Sequence, residues 1–178
     1  MDVFCEYIVT KKKEFVDYLL IFAIAGGAVV LTYILMLLML MFSQFASIIL
    51  LLIAGCWWGG IQLIKGRSVE YEYILTNSEL DIDRIVAKSR RKRVCTIDFK
   101  HIDLCASTTD PIFAGNYNNA GERTVKNFAG DITADNVYFV DFANESQQTR
   151  VIFQPGKRML EGMKKANMRF VHIKEGDL

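Results

Sequence analysis

Between Tyr18 and Ile64 the chain carries no Asp, Glu, Lys, Arg or His, an uninterrupted run of 47 residues. A soluble helix of that length keeps a polar face toward water, and no such face can be drawn here. A bilayer-spanning helix needs about 20 apolar residues. One straight helix of the whole run would reach roughly 70 Å at about 1.5 Å per residue, more than twice a hydrocarbon thickness of about 30 Å. Ser43-Gln44 is the polar break near its middle. The run therefore predicts two spans, Tyr18–Phe42 and Phe45–Ile64, folded as a membrane hairpin. It outlasts the apolar core of a signal peptide and offers no clean small-residue cleavage site, so the hairpin is expected to persist in the mature protein.

The flanks orient it. Lys11, Lys12 and Lys13 precede the first span, Lys65 and Arg67 follow the second, and the connecting turn is uncharged. By the positive-inside rule both termini face the cytoplasm, which makes a two-span protein of the cell membrane. The absence of ionisable groups within the spans excludes a proton relay, a voltage sensor and an ion-coupled transporter. Counted from the turn, Gly27 and Gly60 lie at matching depth, with Gly26, Ala28 and Gly59 beside them, and Gly55 and Gly59 form a small-xxx-small pair. Small residues let helix backbones approach closely. Gly26, Gly27, Gly55, Gly59 and Gly60 are thus the expected packing positions, within one hairpin or, through Gly55 and Gly59, between two copies. Trp57, Trp58 and Tyr18 are read as anchors toward the cytoplasmic interface.

Residues 1–17 mix Val3, Phe4, Tyr7, Ile8 and Phe15 with charge, and positions 4, 7, 8 and 15 suit one face of a short interfacial helix. Residues 65–178 then read as a cytosolic domain. Val69–Leu75 alternates as a strand, residues 76–79 are a turn, and Leu80–Asp83 is a second strand whose parity slips near Arg84-Ile85. Residues 89–92 turn into a third strand, Arg93–Phe99, and His101–Cys105 is a candidate fourth. The stretch 106–134 is rich in Asn and Gly and is expected to hold at most one short strand, around Val125–Phe128. Asn136–Phe142 and Gln148–Phe153 form a hairpin about the turn Asn144-Glu145-Ser146. Pro155-Gly156 opens a helix over Lys157–Asn167, with Met159, Leu160, Met163 and Ala166 on one face. Arg169–Ile173 adds a last extended piece.

Short antiparallel strands closed by one C-terminal helix resemble a pleckstrin-homology-like (PH-like) domain. The segment Tyr73-Ile74-Leu75-Thr76-Asn77-Ser78-Glu79-Leu80, the basic run Arg90-Arg91-Lys92-Arg93 and the strand bearing Ile97 and Ile102 are similar to the bacterial version found beside membrane spans. The whole chain resembles small two-span membrane proteins of Gram-positive bacteria. The resemblance implies a mainly β, partly open barrel of seven strands with one C-terminal helix, and no catalytic residues.

The basic cluster Arg84, Lys88, Arg90, Arg91, Lys92 and Arg93 is the candidate binding surface. Near an anionic leaflet each base contributes about 1 kcal/mol; the competing reading is a solvated turn. Nucleic acid is set aside as a partner, because no aromatic residue interleaves with the run and the chain carries 20 acidic residues. The four cysteines, Cys5, Cys56, Cys95 and Cys105, form no CxxC pair. A site built from Cys95, His101 and Cys105 lacks an evident fourth ligand, so no metal or cofactor is expected. Three function classes follow. The first is a non-catalytic binding or scaffold domain held at the inner leaflet, with anionic lipid or a protein as partner. The second is a regulatory subunit that assembles through its hairpin with other membrane proteins or with itself. The third is a membrane-surface enzyme using His101, Asp103, Asp98 or the 106–134 loop.

Overall fold

The structure, a computed structural model, describes residues 4–119, 121–144 and 147–177. It divides into two compact units: residues 13–68, and residues up to 12 together with those from 69 onward.

The first unit is a helical hairpin. α1 spans Phe15–Met41 and α2 spans Ala46–Lys65, joined by one 3-10 turn at Ser43–Phe45. The break at Ser43-Gln44 thus lies where the sequence placed it. Both helices are long and apolar enough to cross a membrane. Ala28 and Ile49 are the buried residues, and Trp57 Nε1 donates to Thr32 Oγ1 at 3.1 Å. Thr32 in turn donates back to the Ala28 carbonyl at 2.8 Å. Trp57 therefore ties the two helices together near mid-helix. At the hairpin's base the Arg67 guanidinium pairs with the Asp17 carboxylate, which also accepts the Glu14 amide.

The second unit holds two four-stranded sheets. β1 (Phe4–Thr10), β2 (Val69–Thr76), β3 (Glu79–Val86) and β4 (Arg90–Asp98) form the first sheet in that order, every neighbour antiparallel. β5 (Ile102–Ser107), β6 (Thr124–Asn127), β7 (Tyr138–Asn144) and β8 (Gln147–Phe153) form the second in the order β5-β7-β8-β6, with β6 parallel to β8. α3 is a short helix at Ala114–Asn118, and α4 spans Lys157–Ala166.

The interfacial helix expected over residues 1–17 is instead a strand from Phe4 onward. Cys5, Tyr7 and Val9 alternate toward β2 partners Leu75, Tyr73 and Tyr71, and Cys5 and Val9 pack on the core. The period of two, carried by β-branched Ile8, Val9 and Thr10, overrides the coincidental spacing at 4, 7 and 8. Residues 1–3 lie outside the described residues. The apolar hairpin is consequently an insertion between two paired strands: the chain leaves the first sheet after Thr10 and returns at Val69, and Thr10 and Glu70 are register partners.

The core fills the space between the sheets. Tyr73, Leu75, Leu80, Ile82 and Ile97 from the first sheet meet Tyr138, Val140, Val151 and Phe153 from the second, and Met159, Leu160 and Met163 of α4 close it. The helix forms as its apolar spacing predicts. It stops at Asn167, whose side chain donates to the Phe99 carbonyl at 2.8 Å. Tyr73 Oη donates to the Phe128 carbonyl at 2.8 Å and accepts the Gln154 amide at 3.2 Å, so this buried phenol pins the 106–134 segment against the first sheet. The extended piece near Arg169–Ile173 reduces to a single parallel bridge, Val171 to Cys105. Glu145 and Ser146 of the expected hairpin turn lie outside the described residues.

Candidate functional site

The turn expected at Ser89–Lys92 lies earlier in the chain. The turn is residues 87–89, and all four bases from Arg90 to Arg93 belong to β4. Their run of like charge hid the alternation that makes them a strand. Glu72, Asp83 and Arg93 are opposite one another in register on the outer face of the first sheet. On that face Arg91 Nη2 pairs with Glu72 at 2.6 Å, and Arg93 pairs with Asp81 at 2.9 Å and Asp83 at 3.3 Å. Thr96 Oγ1 donates to Asp81 at 2.6 Å. Glu72 and Asp83 are nearly covered, because the long arginine stems lie across the sheet. Arg91 and Arg93 are therefore committed to an ion-pair ladder. The parity slip expected near Arg84-Ile85 is a bulge between Ile82 and Asp83 that leaves Val94 as the extra residue.

Arg84, Lys88, Arg90 and Lys92 are exposed. Arg84 faces Lys92 across β3 and β4, Arg90 is the partner of Val86, and Lys88 sits in the turn. Strand register gathers these four at one end of the sheet. Val69 pairs with Val86 and Val86 with Arg90. It is the same end at which Thr10 leads into Lys11-Lys12-Lys13 and at which Val69 re-enters. Ala87 and Lys88 both have positive φ, at 54° and 56°. Gly or Asn would meet that demand at little cost, whereas each L side chain in the left-handed region costs about 1 kcal/mol or more. The turn keeps a lysine at its tip despite that cost.

The other candidates do not converge. Cys105 is fully buried while the His101 side chain is 82% exposed and bound to Asp98 at 2.8 Å, so Cys95, His101 and Cys105 build no common site. Burial pushes both the Cys95 and Cys105 thiols up, against thiolate formation. Asp103 is exposed on β5. Gly26, Gly27, Gly55 and Gly59 are not the contact that closes the hairpin: an added methyl on any of them meets nothing within 4 Å, and one on Gly60 meets only Ile24 Cγ2, at 3.8 Å. The glycines are matched in depth but not in azimuth.

A buried ion pair was missed. Arg150 and Asp141, at 1% and 2% exposure, pair directly across β7 and β8. Arg150 Nε and Nη2 each donate to one Asp141 oxygen at 2.6 Å, Nη1 donates to the Tyr117 carbonyl at 2.7 Å, and the guanidinium lies 4.6 Å from the Phe139 ring centre. Arg123 adds a second cation 3.6 Å from Asp141. Through the Tyr117 carbonyl this cluster holds α3 over the outer face of the second sheet, where Phe113, Tyr117, Ala129 and Ala134 cover Ala106, Val137, Phe139 and Ile152.

Two sheets around one core, with a C-terminal helix closing it, define a PH-like domain. The chain matches the bacterial PH-like domain family (DUF6106) over residues 1–173 and belongs to that family. The match takes in β1 and the hairpin as well as the later strands. A search of curated proteins and a search of solved structures each found no match.

Proposed function

We propose that the chain is a non-catalytic membrane-anchored adaptor. In this reading the hairpin crosses the cell membrane twice with both termini cytoplasmic, and the PH-like domain rests on anionic headgroups of the inner leaflet through Arg84, Lys88, Arg90 and Lys92. The observation that carries it is the strand register, which puts these bases at the sheet end where both hairpin connections attach. The connections, residues 11–14 and 66–68, are a few residues long on each side, so weak attraction to the headgroups is enough to orient the domain. The left-handed Lys88 supports the reading, since strain kept in a turn points to a use for the side chain. Arg91 and Arg93 drop out, being neutralised by Glu72, Asp81 and Asp83.

The test uses the full chain in nanodiscs, with a spin label at Ser89 and a relaxation agent on the lipid headgroups. Anionic lipid should bring the label to the headgroups. Salt should reverse this, as charges are screened beyond about 8 Å at physiological ionic strength. Changing all four bases to Gln should remove at most about 4 kcal/mol, at about 1 kcal/mol per base. Equal label accessibility in neutral and anionic discs would reject the lipid contact. A second reading, a regulatory subunit assembling through its helices, draws on the open faces at Gly26, Gly27, Gly55 and Gly59. It requires a specific membrane-protein partner or a second copy to co-purify, and to be lost in Gly55→Leu/Gly59→Leu.

A further inference from the structure

The first sheet has two edges, and they are treated differently. β4 is blunted as exposed edges usually are, by a run of basic side chains and a bulge. β1 has neither device: Phe-Cys-Glu-Tyr-Ile-Val-Thr carries one charge and no proline, and its register with β2 is unbroken. Part of its outer edge is covered. Gly130 presses so closely on Val9 and Thr10 that a methyl there would lie 2.8 Å from the Thr10 carbonyl oxygen, and Gly156 abuts the Tyr7 ring. At Phe4–Glu6 no further strand pairs with this edge among the described residues. That part of the edge opens instead into a groove of about 970 Å³ beside α4.

The groove is lined by β1, by the β2–β3 turn and by α4. Its helical wall carries the exposed Arg158, Glu161 and Lys165 beside the half-buried Ala166 and the buried Gly162, and Phe4 stands 66% exposed. Asn77 and Ser78 of the β2–β3 turn close one end. Its charge is net positive. Lys100, Arg158 and Lys165 line it against two carboxylates, Glu6 and Glu161, and none of the three cations has an ion-pair partner among the described residues. The groove also lies at the Thr76–Glu79 end of the sheet, opposite the end bearing Lys88, so both surfaces can be engaged at once.

We infer that this groove docks an extended acidic segment of a partner protein, which adds as a short strand to β1 at Phe4–Glu6 and sets carboxylates against Lys100, Arg158 and Lys165. Strand addition of this type draws affinity from main-chain hydrogen bonds and selectivity from flanking side chains. It gives the anchored domain a cargo, and the inference rests on the adaptor reading.

The experiment uses the full chain in nanodiscs of neutral lipid, which silences any headgroup contact. Two fluorescent octapeptides serve as probes, one alternating Glu and Val, the other Lys and Val. The Glu-Val peptide should bind, and should slow amide hydrogen exchange at Phe4, Cys5 or Glu6. The Lys-Val peptide should bind at least tenfold more weakly. Arg158→Glu/Lys165→Glu, both on the surface of α4, should weaken Glu-Val binding at least tenfold and leave thermal unfolding unchanged. Equal affinity for the two peptides, or unchanged exchange at Phe4–Glu6 with Glu-Val bound, would overturn the inference. Failure here leaves the lipid test with Ser89 intact, and failure of that test leaves this one intact.

Discussion

Asp141→Ala should be among the most damaging single changes in the domain. It removes both carboxylate oxygens that hold Arg150 and leaves a guanidinium at 1% exposure with one carbonyl partner, Tyr117 O at 2.7 Å. Arg123, a third exposed, can turn its charge to water, but Arg150 has no such path. Breaking a buried pair from one side costs about 3–5 kcal/mol, because a charge stays buried and uncompensated. That is a large share of a stability of about 5–15 kcal/mol. With roughly 3–6 °C per kcal/mol for a domain of this size, the midpoint should fall by on the order of 10–25 °C. The loop should loosen first, since Arg150 is what holds the Tyr117 backbone. Thermal unfolding of the full chain in detergent, together with limited proteolysis of residues 110–123, measures both effects. The double change Asp141→Leu/Arg150→Met removes the charge problem and should restore most of the loss. A cost below 1 kcal/mol for Asp141→Ala, or a double variant worse than the single one, would refute the reasoning.

Replacing residues 12–68 by Asn-Gly should give a soluble folded domain. Lys11 already hydrogen-bonds Val69 at 2.9 Å, and a two-residue primed turn fits that spacing; a piece starting at Arg67 lacks β1 and should aggregate, as light scattering would show. Gly130→Ala should destabilise the domain by about 1–3 kcal/mol through overpacking against Val9 and Thr10, whereas Gly27→Leu should leave hairpin folding in detergent unchanged, because nothing lies within 4 Å of the added group. Trp57→Phe should weaken the hairpin by about 0.6 kcal/mol, the usual worth of one hydrogen bond between such helices, in a helix-association assay. The Asp131 carboxyl is held below its ordinary 3.8 by hydrogen bonds from Lys12 and Thr133. Its folded value is thus depressed, so its contribution is present above pH 3.8 and is lost as the pH falls through the lower folded value. Exchange at the Lys12 amide should quicken over that window, and Asp131→Asn should remove the dependence.

The hairpin, its turn at Ser43-Gln44 and helix α4 were legible in the sequence, because each rests on local pattern: absence of charge over 47 residues, one polar break, apolar residues at helical spacing. The alternation of β2 and β3 was legible for the same reason. The resemblance implies seven strands and eight are described: β1 comes from residues expected to form an interfacial helix, and β6 lies where one short strand was expected. Asp141 and Arg150 are the single charges of the two expected hairpin strands and flank the expected turn, and that opposition of lone opposite charges was the signal that could have found them.

What only tertiary structure decided is which side of an element meets which partner. The spacing of Phe4, Tyr7 and Ile8 fits a helix, and Cys5, Tyr7 and Val9 fit a strand; the waiting edge of β2 settled it, 60 or more residues away along the chain. The acids that neutralise Arg91 and Arg93 lie on other strands, β2 and β3, so charge counted along the sequence overstates the free bases. Depth in a hairpin follows from counting residues, but facing depends on helix rotation, and that is why the matched glycines do not touch. Local sequence fixes an element's own periodicity, while pairing edge, neutralising partner and azimuth are properties of two elements together, and arise only when both have folded.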